Sequence, residues 1–193
     1  MRHGLSLAAG VVIAGAALAA NATVFAAKPV EHLTAFAVDM SNRAGSTRAG
    51  TIDIIIERWS SDSERDQLLS ALRESGPDGL RKALEKIKEP AGNIRSQGSL
   101  GYPLRFAREM PTSDGGRRII IATDRPISFL ELRNQPRSLD YPFMLIDLRL
   151  DAQGKGQGKL IPVAKVTQSE DHVVEIENYA SEPVRLTEVR ELK

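Results

Sequence analysis

Apolar and polar positions alternate with a period of two over much of this chain. Ile52, Ile54 and Ile56 alternate with Thr51, Asp53 and Glu57, the mark of a strand with one face for a core and one for water over 51–59. A second strand is predicted from Leu33 to Met40. Between the two, Ser41 to Gly50 holds Ser, Asn, Arg and two glycines, which reads as a hairpin connection and implies antiparallel pairing. The period then changes. Ser61-Asp62-Ser63-Glu64 fits a capping box, and Leu68, Leu69 and Leu72 follow as an apolar stripe until Gly76-Pro77. Pro77 suits the first turn of a second helix, with Leu80, Leu84 and Ile87 at helical spacing as far as Pro90. The expected product is an αα-hairpin inserted at about 61–89.

Beyond it the alternation returns. Strands are predicted at Asn93 to Gln97, Tyr102 to Glu109, Arg117 to Thr123, Tyr141 to Asp151, Gly158 to Gln168, His172 to Asn178 and Val184 to Glu191. Ser113-Asp114-Gly115-Gly116, Asp151-Ala152-Gln153-Gly154 and Ser169-Glu170-Asp171 supply the turns. Eight or nine strands joined by short connections, with one helical insertion, make a mainly β (β-rich α+β) protein. The architecture expected is an antiparallel sandwich or a partly closed barrel, either of which shortens exposed strand edges.

Upstream of the first strand the pattern differs in kind. Arg2 and His3 precede an unbroken, weakly apolar run from Leu5 to Ala20, followed by small residues, the make-up of a cleavable export signal over 1–26. Cleavage after Ala26 fits, as does an earlier cut after Ala19 or Ala22. The run is short and Ala-rich beside the roughly 20 strongly apolar residues of a bilayer span, though an uncleaved signal anchor is the competing reading. A cut after Ala26 leaves a single domain over 27–193. The expected location is periplasmic or extracellular, without stable membrane insertion once the signal is removed.

Charge and composition narrow the partners. With 26 Lys plus Arg against 25 Asp plus Glu, losing Arg2 brings the two into balance, so nothing draws this surface to nucleic acid, which needs surplus cations to neutralise phosphates. Cysteine is absent. Disulfides therefore cannot support an exported fold here, a lipid-modified cysteine is excluded, and the core must suffice.

The densest polar stretch is ATDRPISFLELRNQPRSLDYPF, from Ala122 to Phe143. It is too long for a hairpin, and long ordered connections in compact domains are often functional. Asp124, Arg125, Glu131, Arg133, Asn134, Arg137, Asp140 and Tyr141 form the candidate ligand- or partner-binding set. Arg125, Arg133 and Arg137 could present planar forks to a carboxylate, phosphate or sulfate. The plainer reading pairs them with Asp124, Glu131 and Asp140 to brace a loop across one end of the sheet. This stretch, with GSLGYPLRFARE at Gly98 to Glu109 and ENYASEPVRL at Glu177 to Leu186, resembles segments from a group of uncharacterised exported bacterial proteins. That resemblance covers most of the chain after the signal and implies a class without an activity.

Other motifs lead away from catalysis. In Gly154-Lys155-Gly156-Gln157-Gly158-Lys159 the spacing fails a phosphate loop, and Leu160 stands where Ser or Thr is needed. Alternating glycines instead suggest a bulge, a bend or the close approach of another chain. His32 and His172 lie far apart and outside any metal-binding spacing, and no metal or cofactor is implied. There is no GxSxG elbow. Asp53 and Glu57 would stand roughly 13 Å apart on one strand, too far for a glycosidase pair. Trp59, the single tryptophan, is expected beneath the helices. The function expected is an exported soluble binding or interaction module working through the Asp124 to Tyr141 connection and the helical pair. The alternatives are a small-ligand carrier with a cavity for an acidic group, and a hydrolase using Asp124, Asp140 or His172.

Overall fold

The computed structural model describes residues 29–39, 48–96, 99–125, 143–162, 164–168, 174–178 and 184–192. The predicted signal, the 41–47 connection and the turn at 169–171 lie outside them. Among the described residues, eleven strands and one helical run follow in the order β1 (Glu31–Asp39), β2 (Arg48–Ile56), α1 (Asp62–Lys86), β3 (Gly92–Ser96), β4 (Tyr102–Leu104), β5 (Phe106–Pro111), β6 (Arg117–Ala122), β7 (Met144–Leu150), β8 (Lys155–Pro162), β9 (Ala164–Gln168), β10 (Val174–Asn178) and β11 (Val184–Glu191). Nine strands form one antiparallel sheet in the order β4-β3-β2-β1-β11-β8-β7-β6-β5, and β9 and β10 pair separately.

The two outermost strands of the nine, β4 and β5, follow each other in the chain with only Arg105 between them. The sheet therefore curls until its ends meet, and the structure is a nearly closed barrel. The single strand predicted at 102–109 serves both sides of this seam, its first part pairing with β3 and its second with β6. Likewise the stretch expected as one strand from Gly158 to Gln168 divides into β8 and β9. The β1–β2 pair is antiparallel as expected, with Glu31 opposite Ile56.

Alternation decides what faces in. Leu33, Ala35, Ile52, Ile54, Ile94, Ile119, Ile121, Ile146, Leu148, Leu160 and Leu186 are among the side chains that fill the barrel, all nearly inaccessible to water. Outward positions carry Arg118, Asp147, Arg149, Lys159 and Arg185, and Arg118 grips Asp147 with two hydrogen bonds of 2.8 and 2.9 Å. An apolar interior with a charged exterior reverses the pattern of a membrane barrel. Among the described residues no helix is long and apolar enough to cross a membrane.

The exception on the outside is a second apolar layer. Phe106, Ala122, Phe143, Leu145 and Ile161 turn outward from β5 to β8 and are covered by Leu68, Leu72, Leu80 and Leu84 of α1. Each such leucine contributes about 1.5–3 kcal/mol by leaving water. The helical run breaks at Gly76, whose φ of 62° and ψ of −156° suit a residue without Cβ, and Pro77 begins the second half. Both halves thereby set their leucines on the same patch. Trp59 is a correction to the sequence reading: it packs against the barrel-interior cluster, not under the helix.

Arg58 fastens the helix to the barrel. Its guanidinium forks onto Glu64 at 2.8 and 3.0 Å and also donates to the Glu89 carbonyl at 2.6 Å, tying the helix start to the chain beyond its end. Glu64 meanwhile accepts from the Ser61 amide and Ser61 Oγ from the Glu64 amide, so the capping box is complete. Hydrogen bonding from Arg58, opposed by burial and helped by the Ser61 amide, holds the Glu64 carboxyl below its ordinary value. A carboxyl depressed in the folded state adds stability above its unfolded pKa of about 4.3, and that stability is lost as pH falls through the folded value. Urea unfolding between pH 6 and pH 3 is expected to show Glu64→Gln less stable than the parent at pH 6, with the gap closing towards pH 3. An unchanging gap would mean that the ion pair contributes nothing.

Candidate functional site at the barrel mouth

Four strand ends meet at one opening of the barrel. Glu31 begins β1, Arg117 begins β6, Glu191 ends β11 and Glu109 lies near the end of β5. Each stands two residues along its strand from an inward apolar side chain, namely Leu33, Ile119, Val189 and Ala107, so each points into the opening. For Glu191 this depends on a bulge. The β1–β11 register carries an extra β11 residue between Thr187 and Arg190, and Glu188 adopts a positive φ of 51°. Leu186 and Val189 consequently face the same way, and Glu191 follows Val189 inward, a re-aiming typical of bulges beside sites.

Arg117 is the hub. Its Nη1 donates to Glu31 Oε2 at 2.8 Å and its Nη2 to Glu31 Oε1 at 2.6 Å. Nη2 also reaches Glu191 Oε2 at 3.2 Å, and Nη1 lies 3.7 Å from Glu109 Oε1. The Glu31 side chain is only 5 % exposed and that of Arg117 19 %, against 37 % and 38 % for Glu109 and Glu191. Hydrogen bonding to Glu31, against the opposing effect of burial, raises the Arg117 pKa further above its already high ordinary value, so the guanidinium keeps its charge. The inner pair is thus a desolvated fork, and the two outer carboxylates face a cleft of about 640 Å³ walled by Trp59, Ser60, Arg108, Pro111 and Asp151. Arg108 is turned away towards Asp62 at the start of α1, 2.7 Å from it.

Of the candidate set from Asp124 to Tyr141, only Asp124 and Arg125 fall among the described residues. Glu131, Arg133, Asn134, Arg137, Asp140 and Tyr141 lie outside them, as does His172. Asp124 sits just past β6, at the end opposite Arg117, roughly 20 Å away by strand rise. Its side chain is 10 % exposed and accepts from Arg105 Nε at 2.8 Å, with Arg125 Nε 3.6 Å from the other oxygen. Arg105 also donates to the Ile87 carbonyl at 3.2 Å. Through Arg105, a partner the sequence reading does not name, Asp124 braces the barrel seam to the end of α1.

The remaining candidates are dispersed. His32 Nε2 lies 3.7 Å from Asp53 Oδ1, and Asp53 also meets Arg95 at 3.3 Å on the outer face of the β1–β2–β3 ladder. Glu57 is exposed beyond the end of β2. Among the described residues no three His, Asp or Glu side chains are grouped so as to hold a metal ion. The mouth residues were missed because no spacing joins them; the available signal was that Glu31, Arg117 and Glu191 are charges at strand ends, where alternation alone would place them inward or outward equally. No protein-family model, curated protein or solved structure matches this chain.

Proposed function

We propose that this protein is an exported binding or interaction module that engages its partner at the barrel mouth. The carrying observation is the convergence there of Arg117 with Glu31, Glu109 and Glu191 beside a cleft walled by Trp59. Elsewhere among the described residues the interior is filled by apolar side chains, so the polar groups described converge on this opening. The leader pattern at 1–26 supports export. A small-molecule carrier is the second reading, favoured by a cleft volume within the range of ligand pockets, about 300–1,000 Å³.

Native mass spectrometry of the protein purified gently from its exporting host separates the two. A defined excess of a few hundred daltons is the carrier result; co-purification of a second chain is the module result. The surface is then located with variants. At the mouth, Glu109→Gln is expected to weaken whatever binds, whereas Arg133→Ala and Arg137→Ala would do so if the Asp124 to Tyr141 connection is the working surface. Retention of the partner by Glu109→Gln, with loss in either arginine variant, would move the site to that connection.

A further inference from the structure

Resting on the mouth as the binding surface, we infer that the open edge of β5 takes up an extended peptide segment carrying a lysine or arginine. Among the described residues, β5 pairs with β6 on one side only. On its other side Ala107 is already engaged: the Ser60 amide donates to the Ala107 carbonyl at 2.7 Å, and the Ala107 amide donates to Ser60 Oγ at 3.1 Å. Ser60 thus acts as the first rung of a missing neighbour strand. Backbone groups on an antiparallel strand alternate between its two sides, so the Glu109 N–H and C=O point the same way as those of Ala107. These groups form the next rung, and Ser60, Glu109 and Pro111 line the cleft. Pro111 has no N–H and limits the edge to a short length, which suits a brief peptide contact more than an extended sheet.

Charge selects the side chain. The mouth holds the carboxylates of Glu31, Glu109, Glu191 and Asp151 against the guanidinium of Arg117, since Arg108 is engaged by Asp62. Glu109 and Glu191 are far more exposed than Glu31, and they meet Arg117 at 3.7 and 3.2 Å. A basic side chain entering from the β5 edge would complete their pairing, with the Trp59 ring in the same wall as an attractive surface for a cation.

The test uses the chain from residue 27 and three capped pentapeptides: Val-Lys-Val-Lys-Val, the same with Glu for Lys, and the Lys peptide with alternate backbone amides N-methylated. Hydrogen exchange at the Glu109 amide reports the rung, and Trp59 fluorescence reports the cleft. The Lys peptide is expected to slow exchange at Glu109 and shift the fluorescence, with affinity at least tenfold above the Glu and methylated peptides. Glu109→Gln should lower that affinity by a similar factor while keeping the fold. Equal binding of the Lys and Glu peptides, or an unprotected Glu109 amide at saturating Lys peptide, overturns the inference. A fluorescence shift without amide protection rejects strand addition but leaves the mouth as a binding surface; no fluorescence response to any peptide or to the natural partner removes both. A concentration-dependent dimer with the Glu109 amide protected in the absence of peptide assigns the edge to a second copy and also overturns it.

Discussion

Replacing Arg117 by methionine is expected to destabilise the protein by about 3–5 kcal/mol, the usual cost of removing one partner from a buried ion pair. The reason lies in what is left behind. Glu31, 5 % exposed, would lose both hydrogen-bond donors and remain close to Glu109 and Glu191, two further carboxylates that Arg117 now offsets. The reverse change is milder: Glu31→Gln leaves Arg117 with Glu191 and Glu109 and keeps an amide oxygen in place, so a loss of about 1–2 kcal/mol is expected. The double variant Glu31→Met and Arg117→Met should recover much of the loss of the single arginine change, because exchanging a buried pair for apolar groups is often neutral. Urea denaturation of the parent and the three variants measures these losses. Losses below about 1 kcal/mol in both single variants, as for surface pairs, would show that the mouth is a solvated rim and not a fixed plug.

The parts of this architecture that were legible in the sequence are those written locally. Ile52, Ile54 and Ile56 announce their strand because adjacent residues alternate, and Ser61 with Glu64 announces the helix because four residues suffice for a capping box. The turns at Gly115 and Gly154 are equally local. The mouth is different. Arg117 meets Glu31 across 86 positions and Glu191 across 74, and no short window contains the contact. The Glu188 bulge compounds this by reversing the alternation that would have aimed Glu191, while nothing in Leu186 to Glu191 marks the extra residue. Asp124 shows the converse limit: polar composition picked it out, yet composition cannot separate a carboxylate that holds a ligand from one that holds Arg105. Trp59 was misplaced because its neighbour in sequence is the helix cap, whereas its neighbours in space are the strands.

Gly156→Ala, the addition of a single methyl group, is expected to cost as much as losing a large core side chain. Overpacking a well-filled core typically costs about 1–3 kcal/mol and occasionally more, and here the upper end or beyond is expected. A Cβ at Gly156 would fall on the Arg149 carbonyl oxygen, and one at Gly158 would stand 2.5 Å from the Asp147 carbonyl oxygen and the same distance from a Leu148 methyl. A side chain can rotate away from such a clash; the backbone of β7 cannot, because it is paired on both sides, with β6 and β8. Both glycines lie on the inward face with Leu160, so their bare positions let β7 and β8 coil closely at this part of the barrel wall. The alternating glycines of 154–158 suggest a bulge, a bend or the approach of another chain; what lies close here is β7 of the same chain. Gly50→Ala supplies the control: on β2, with nothing within 4 Å of its added carbon, it is expected to be neutral or to stabilise by about 0.4–1 kcal/mol through the unfolded state. Thermal and urea unfolding of the two variants should therefore move in opposite directions or differ by several degrees. Equal stability would mean that β7 and β8 have room to separate, and that the barrel is not closed as tightly as these carbonyls require.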